Sequence, residues 1–147
     1  MTNNLILLAG RVLLSAIFII SGLAKFGDIA GTSGYIASVG LPAPTALAWL
    51  SALFETVAGL AILTGFFTRY ASWLLAAFCV VAGLLFHSGA IAIPNFPDAA
   101  NAMLSQFNQI MLMKNFAIAG GFLALAMAGP GALSLDARRG AAAPAIA

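Results

Sequence analysis

LILLAGRVLLSAIFIISGLAKF, residues 5–26, is the stretch on which the fold turns. A helix crossing about 30 Å of hydrocarbon needs about 20 mostly apolar residues, each advancing it by about 1.5 Å. This run is long enough, with Arg11 in its interior and Lys25 near its end. Three further runs have the same character. Residues 45–67 contain Glu55, residues 70–91 are uncharged with His87 toward their far end, and residues 107–128 contain Lys114. Helix punctuation surrounds them: Pro42 and Pro44 precede the second run, Pro94 and Pro97 follow the third, and Gly129-Pro130-Gly131 stops the fourth. The reading is an all-α integral membrane protein, a four-helix bundle with short interfacial helices in its loops.

Composition agrees. Of 147 residues, 63% are hydrophobic and 7% charged, where a soluble domain carries roughly 25% charge. Ten charged side chains cannot wet the surface of a soluble domain this size. A net charge of +2 is too small for a nucleic-acid footprint. Cys79 is the single cysteine, which excludes an internal disulfide, a CxxC pair and a multi-cysteine metal site. Nothing basic precedes Leu5 and no small-residue cleavage site follows Ser21-Gly22-Leu23-Ala24-Lys25, so the first run is expected to be a mature helix rather than a signal peptide.

The connections differ in kind. Gly65–Arg69 is short enough to make the second and third spans an antiparallel hairpin, and residues 34–39 suit a short interfacial helix. From Pro97-Asp98, apolar Ala100, Met103, Leu104, Phe107 and Met111 recur at helical spacing with Asn101, Ser105 and Asn108 between them, an amphipathic lead-in to the fourth span. The transmembrane domain is taken as 1–130 and residues 131–147 as a flexible cytoplasmic tail. With four spans, Arg11, Arg69, Arg138 and Arg139 fall on the side of the termini and Lys25 and Lys114 on the other. Basic residues favour the cytoplasm, so both termini are expected there.

Charges inside a bilayer are costly and usually face the bundle. Arg11, Ser15, Phe18, Gly22 and Lys25 form one stripe, and Glu55 aligns with Ala48, Ser51 and Gly59. His87 aligns with Ala76, Val80 and Gly83, and Lys114 with Ile118, Gly121 and Leu125. Glu55 lies at the midplane, roughly 15 Å from either end, where Arg11 and Lys114 are its expected partners. Lys25 and Arg69 are read as interface anchors. Arg11, Glu55, His87, Lys114 and Asn115 are the candidates for a polar interior, which either receives a ligand or is structural, with Arg11 reaching the cytoplasmic headgroups and Glu55–Lys114 a bridge between helices. One His and one Cys supply neither paired haem ligands nor a metal site, so no intrinsic metal or cofactor is expected and no catalytic residue is assigned.

Several phrases together resemble the DoxX family over the chain to about Pro130. They are Arg11-x-x-Leu14 with Phe18, Gly22 and Lys25-Phe26; Tyr35 followed by Gly40-Leu41-Pro42; Glu55-x-x-x-Gly59 with Leu63 and Gly65; Thr68-Arg69; Phe86-His87; and Lys114-Asn115-x-x-Ile118-x-Gly120-Gly121. The resemblance implies a bacterial inner-membrane protein of four helices. Members are often labelled oxidoreductases, because some relatives are subunits of thiosulfate:quinone oxidoreductase or associate with redox and detoxification enzymes. Distant relatives include a eukaryotic cargo receptor, so chemistry does not follow from fold. The first expectation is therefore an accessory or anchoring subunit of a membrane redox or detoxification complex, with the lipid bilayer and redox-complex subunits as partners. The alternative is an enzyme or carrier that binds a small hydrophobic molecule, such as a quinone, in the bundle interior.

Overall fold

The computed structural model describes residues 2–140. It contains α1 (Thr2–Gly27), α2 (Ile29–Ser38), α3 (Pro44–Thr64), α4 (Thr68–His87), α5 (Asp98–Ala128) and α6 (Leu135–Arg138). Helices α1, α3, α4 and α5 are each long and apolar enough to cross a membrane. They are the four expected spans, and α2 is the expected short loop helix, started by Asp28 accepting from the Gly31 amide at 2.8 Å.

The bundle consists of two tight pairs. α1 packs chiefly on α3 and α4 chiefly on α5, while the α3–α4 hairpin joins the pairs through a thinner contact. Small residues set the close approaches, since without a hydrophobic drive between helices in lipid, packing at short range matters most. A Cβ on Gly22 would lie 2.8 Å from the Thr56 backbone nitrogen and 2.9 Å from the Ala52 carbonyl oxygen, so α1 meets α3 backbone to backbone there.

The apolar core occupies the half of the bundle that carries the termini. Phe18, Ile62, Leu75, Cys79 and Phe122 are its larger members, and Phe18 meets Phe122 edge to face at 5.4 Å between centroids. Large side chains such as Leu13, Leu53, Leu74 and Met113 point outward, as lipid-facing positions require.

Two boundaries depart from the sequence reading. The lead-in and the fourth span are one continuous helix of 31 residues. Its length, about 46 Å, exceeds the hydrocarbon thickness, so its first turns stand beyond the membrane core. The third span stops at His87 rather than residue 91. The irregular segment that follows is held by the polar side chains between the lead-in's apolar ones. Ser105 accepts from the Ile91 amide and donates to its carbonyl, Asn101 does the same for Ile93, and Asn108 donates to the Gly89 carbonyl. Three side chains at helical spacing thus pair backbone groups that no helix or strand satisfies.

The tail from 131 is corrected as far as residue 140. It does not hang free but folds back as a latch on the α3–α4 turn. Asp136 accepts from the Phe67 and Thr68 amides, both at 2.9 Å, and its own amide donates to the Gly65 carbonyl. Helix α4 has no capping side chain of its own, and Phe67 sits at φ 47. A left-handed non-glycine residue costs roughly 1–2 kcal/mol, and a carboxylate on the first amides of a helix offsets such a cost. Asn4 accepts from the Ala132 amide, and the Arg139 guanidinium lies 5.0 Å from the centre of the Phe66 ring. The expectation for residues 141–147 falls outside the described residues.

Candidate functional site

The half of the bundle opposite the termini is not filled. A cavity of about 540 Å³ lies between the α1–α3 pair and the α4–α5 pair, reached by α2 from the loop end. Its walls are mainly apolar, with Leu50, Phe54, Phe78 and Leu85 among them. Two aromatic pairs reinforce it: Phe54 against Phe78 and Tyr35 against Phe86, each 5.1 Å between centroids. The second pair ties α2 to α4 across the space between the helix pairs. Partial burial raises the pKa of the Tyr35 phenol from its ordinary value.

Glu55 enters this cavity from α3, but its partner is neither Arg11 nor Lys114. Lys25 Nζ donates to Glu55 Oε2 at 2.8 Å and to Ser21 Oγ at 2.7 Å. The reason is geometric. Side chains on a helix lean toward its N-terminus, so Lys25 reaches back over Ser21 and Gly22, where α1 and α3 cross. Lys25 is therefore not an interface anchor. The side chains of Lys25 and Glu55 are 25% and 5% exposed, so the pair is half-open on the cation's side.

Arg11, 1% exposed, lies at the other end of the molecule. It donates to the carbonyls of Pro130 at 2.8 Å, Leu133 at 2.7 Å and Leu63 at 3.3 Å. Leu63 lies about 12 Å down α3 from Glu55, which is why Arg11 cannot pair with the acid. Its carbonyl partners come from the end of α3 and from the latch, where helical partners run out, so Arg11 ties the latch to the bundle. Gly65, at φ 70, closes α3 with paired bonds from Gly65 and Phe66 amides to Ile62 and Ala61 carbonyls. A Cβ there would come within 2.5 Å of the Arg11 guanidinium.

Lys114 lies on the α5 wall of the cavity, and its Nζ has one partner among the described residues, the Met111 sulfur at 3.0 Å. Helices α3 and α5 belong to different pairs, so the cavity itself separates this ammonium from Glu55. Asn115 and His87 also line the cavity. Asn115 donates to the Met111 carbonyl, and His87 Nδ1 shares a 2.7 Å hydrogen bond with Asn108 Oδ1. Arg69, read as an interface anchor, donates from Nε to the Ala126 carbonyl at 3.3 Å and so also links α4 to α5. The structure thus brings Glu55, His87, Lys114 and Asn115 to one cavity, adds Lys25, and leaves Arg11 out. Lys25 was legible on the Arg11–Gly22 stripe; what signalled its role was the backward lean of helical side chains.

Among the described residues, no three His, Cys, Asp or Glu side chains gather as a metal site would need. The cavity offers two ammonium groups, one carboxylate and aromatic walls. That set can hold a small apolar molecule by its body and orient one polar head.

The chain matches the DoxX family model over residues 6–88. It is 40% identical over 129 residues to the inner membrane protein YqjF of Escherichia coli (strain K12), covering 88% of each chain. It is 36% identical over 133 residues to the inner membrane protein YphA of the same organism, covering 90% of this chain and 89% of that one. No solved structure matches.

Proposed function

The chain belongs to the DoxX family and is an integral inner-membrane protein, and from that premise we propose that it is an intramembrane binding protein for a small hydrophobic molecule. The observation that carries this reading is the cavity of about 540 Å³ with a half-open ion pair in its wall. Ligand sites are typically apolar clefts of ~300–1,000 Å³ with a few convergent polar groups. A structural ion pair needs no such space beside it, and the other half of the same bundle is filled by side chains. The head of the bound molecule meets an ammonium of the cavity wall, which carries both Lys25 and Lys114, and its body lies along the aromatic walls. A quinone fits that description, its carbonyl oxygens accepting from an ammonium. No resident metal or haem is part of the proposal, because the chain offers one His and one Cys as donors. Both termini lie in the cytoplasm on this reading, which puts the cavity in the outer half of the membrane.

The test is purification in a mild detergent, followed by mass spectrometry of everything retained, small molecules and proteins alike. Ala82 lines the cavity and is partly buried, so the indole of Ala82→Trp occupies part of it and narrows the space left for a ligand. Recovery of a small amphiphile near one equivalent from the wild type, and its loss from Ala82→Trp, is the expected result. A stoichiometric protein partner with no small molecule would overturn the proposal in favour of an anchoring subunit of a redox or detoxification complex.

A further inference from the structure

We infer that the molecule held in the cavity is an apolar monoacid, a carboxylic acid or an acidic phenol, whose anionic head is received by Lys114. The inference rests on the binding reading above and narrows it to one ligand class.

It begins with charge. Lys25, Lys114 and Glu55 line one cavity, and Lys25–Glu55 is the one salt bridge among the described residues. Subtracting that pair leaves one ammonium, that of Lys114, without a carboxylate partner among the described residues. Lys114 Nζ has three donors and spends one on a thioether, a weak acceptor. In water such a group needs no explanation. Here it stands on α5 about 21 Å from the end of that helix at Ala128, inside the membrane span, an exposed residue that lines the mainly apolar cavity. An isolated ammonium in that setting is costly, and membrane proteins place such groups where a counter-charge or water-filled space meets them. No carboxylate of the described chain fills the role, although the cavity is large enough for a molecule that brings one.

Size and shape agree. The cavity is mainly apolar, so a small hydrophilic anion would leave most of its wall unpaired. A doubly charged head would exceed the single unpaired cation. A neutral molecule would leave Lys114 as it is. An apolar body with one negative charge matches both the wall and the residual cation.

The experiment measures binding to the full chain in nanodiscs, with empty nanodiscs subtracted. The probes are 2-naphthoic acid and dodecanoic acid, each compared with its methyl ester at pH 7.5. The acids are expected to bind at least about tenfold more tightly than the esters, the scale of one charge-assisted contact. Lys114→Met should abolish that difference, and Lys114→Arg should restore it. If esters and acids bind alike to the wild type and to Lys114→Met, the acid class is overturned and the cavity remains a site for neutral molecules. If the wild type binds no probe above empty nanodiscs, the binding reading falls as well. An acid preference that survives Lys114→Met would remove Lys114 from the role and point to Lys25.

Discussion

Replacing Lys25 with Met and Glu55 with Gln, singly and together, weighs the ion pair at the centre of the bundle. The two changes are not equivalent. In Lys25→Met the Glu55 carboxylate, 5% exposed, loses the one hydrogen-bond donor it has among the described residues. Leaving a buried charge uncompensated costs about 3–5 kcal/mol. In Glu55→Gln the amide oxygen still accepts from Lys25 Nζ, which also keeps Ser21 and its partial exposure. A loss of about 1–2 kcal/mol, the worth of a charged over a neutral hydrogen bond, is expected. The double variant holds no charge at this site, so it should be more stable than Lys25→Met alone by at least about 1 kcal/mol. Thermal unfolding in one detergent, followed by circular dichroism, ranks all four proteins. If the double variant loses the sum of the two single losses, the pair carries no coupling and the reasoning is refuted. If Lys25→Met matches the wild type, Glu55 does not depend on Lys25 at all.

Three other outcomes are expected. Asp136→Ala removes both caps from the start of α4; it should cost about 1–2 kcal/mol and speed tryptic cleavage after Arg138 and Arg139, and unchanged cleavage would speak against the latch. Gly22→Val should lower the unfolding temperature by pushing α1 off α3, at about 1–3 kcal/mol, whereas Gly120→Val, whose Cβ meets nothing within 4 Å, should be nearly neutral; equal effects would show that the α1–α3 crossing is not close. In a Cys79→Ala background, a membrane-impermeant thiol reagent added to intact cells should label Gly34→Cys and not Thr2→Cys, and the reverse pattern would invert the orientation.

Much of the fold was legible because membrane spans announce themselves by length and apolarity. The face that α1 buries was legible too, since Arg11, Ser15, Phe18 and Gly22 recur at helical spacing and all four are buried. What a single helix cannot disclose is the height at which it meets its neighbour. That height decides whether Glu55 faces Arg11 or Lys25, and it is set by the Gly22 crossing with Ala52 and Thr56. Pairing was hidden for a related reason. A tight turn joins α3 to α4, yet their main partners are α1 and α5, because small residues rather than connectivity choose neighbours in lipid. The latch was least legible of all. Asp136 caps amides that lie 68 and 69 positions away, and the composition of the segment around it, rich in Ala and Gly, resembles an unstructured end.

The latch also gives the molecule a mechanical asymmetry. Arg11, Asp136 and the closed Gly65 turn gather the ends of both helix pairs into a pivot, while the far ends meet through α2 and one stacked ring pair. Any change in the angle between the pairs therefore moves nothing at the pivot. Across about 30 Å of membrane it moves the free jaws by about 0.5 Å per degree. The molecule is built like a pair of tongs, with its hinge at the termini and its grip around the cavity. A bound molecule an ångström or two wider than the resting gap would be admitted by a rotation of a few degrees, most of the displacement falling at the cavity and the least at the apolar packing next to the hinge.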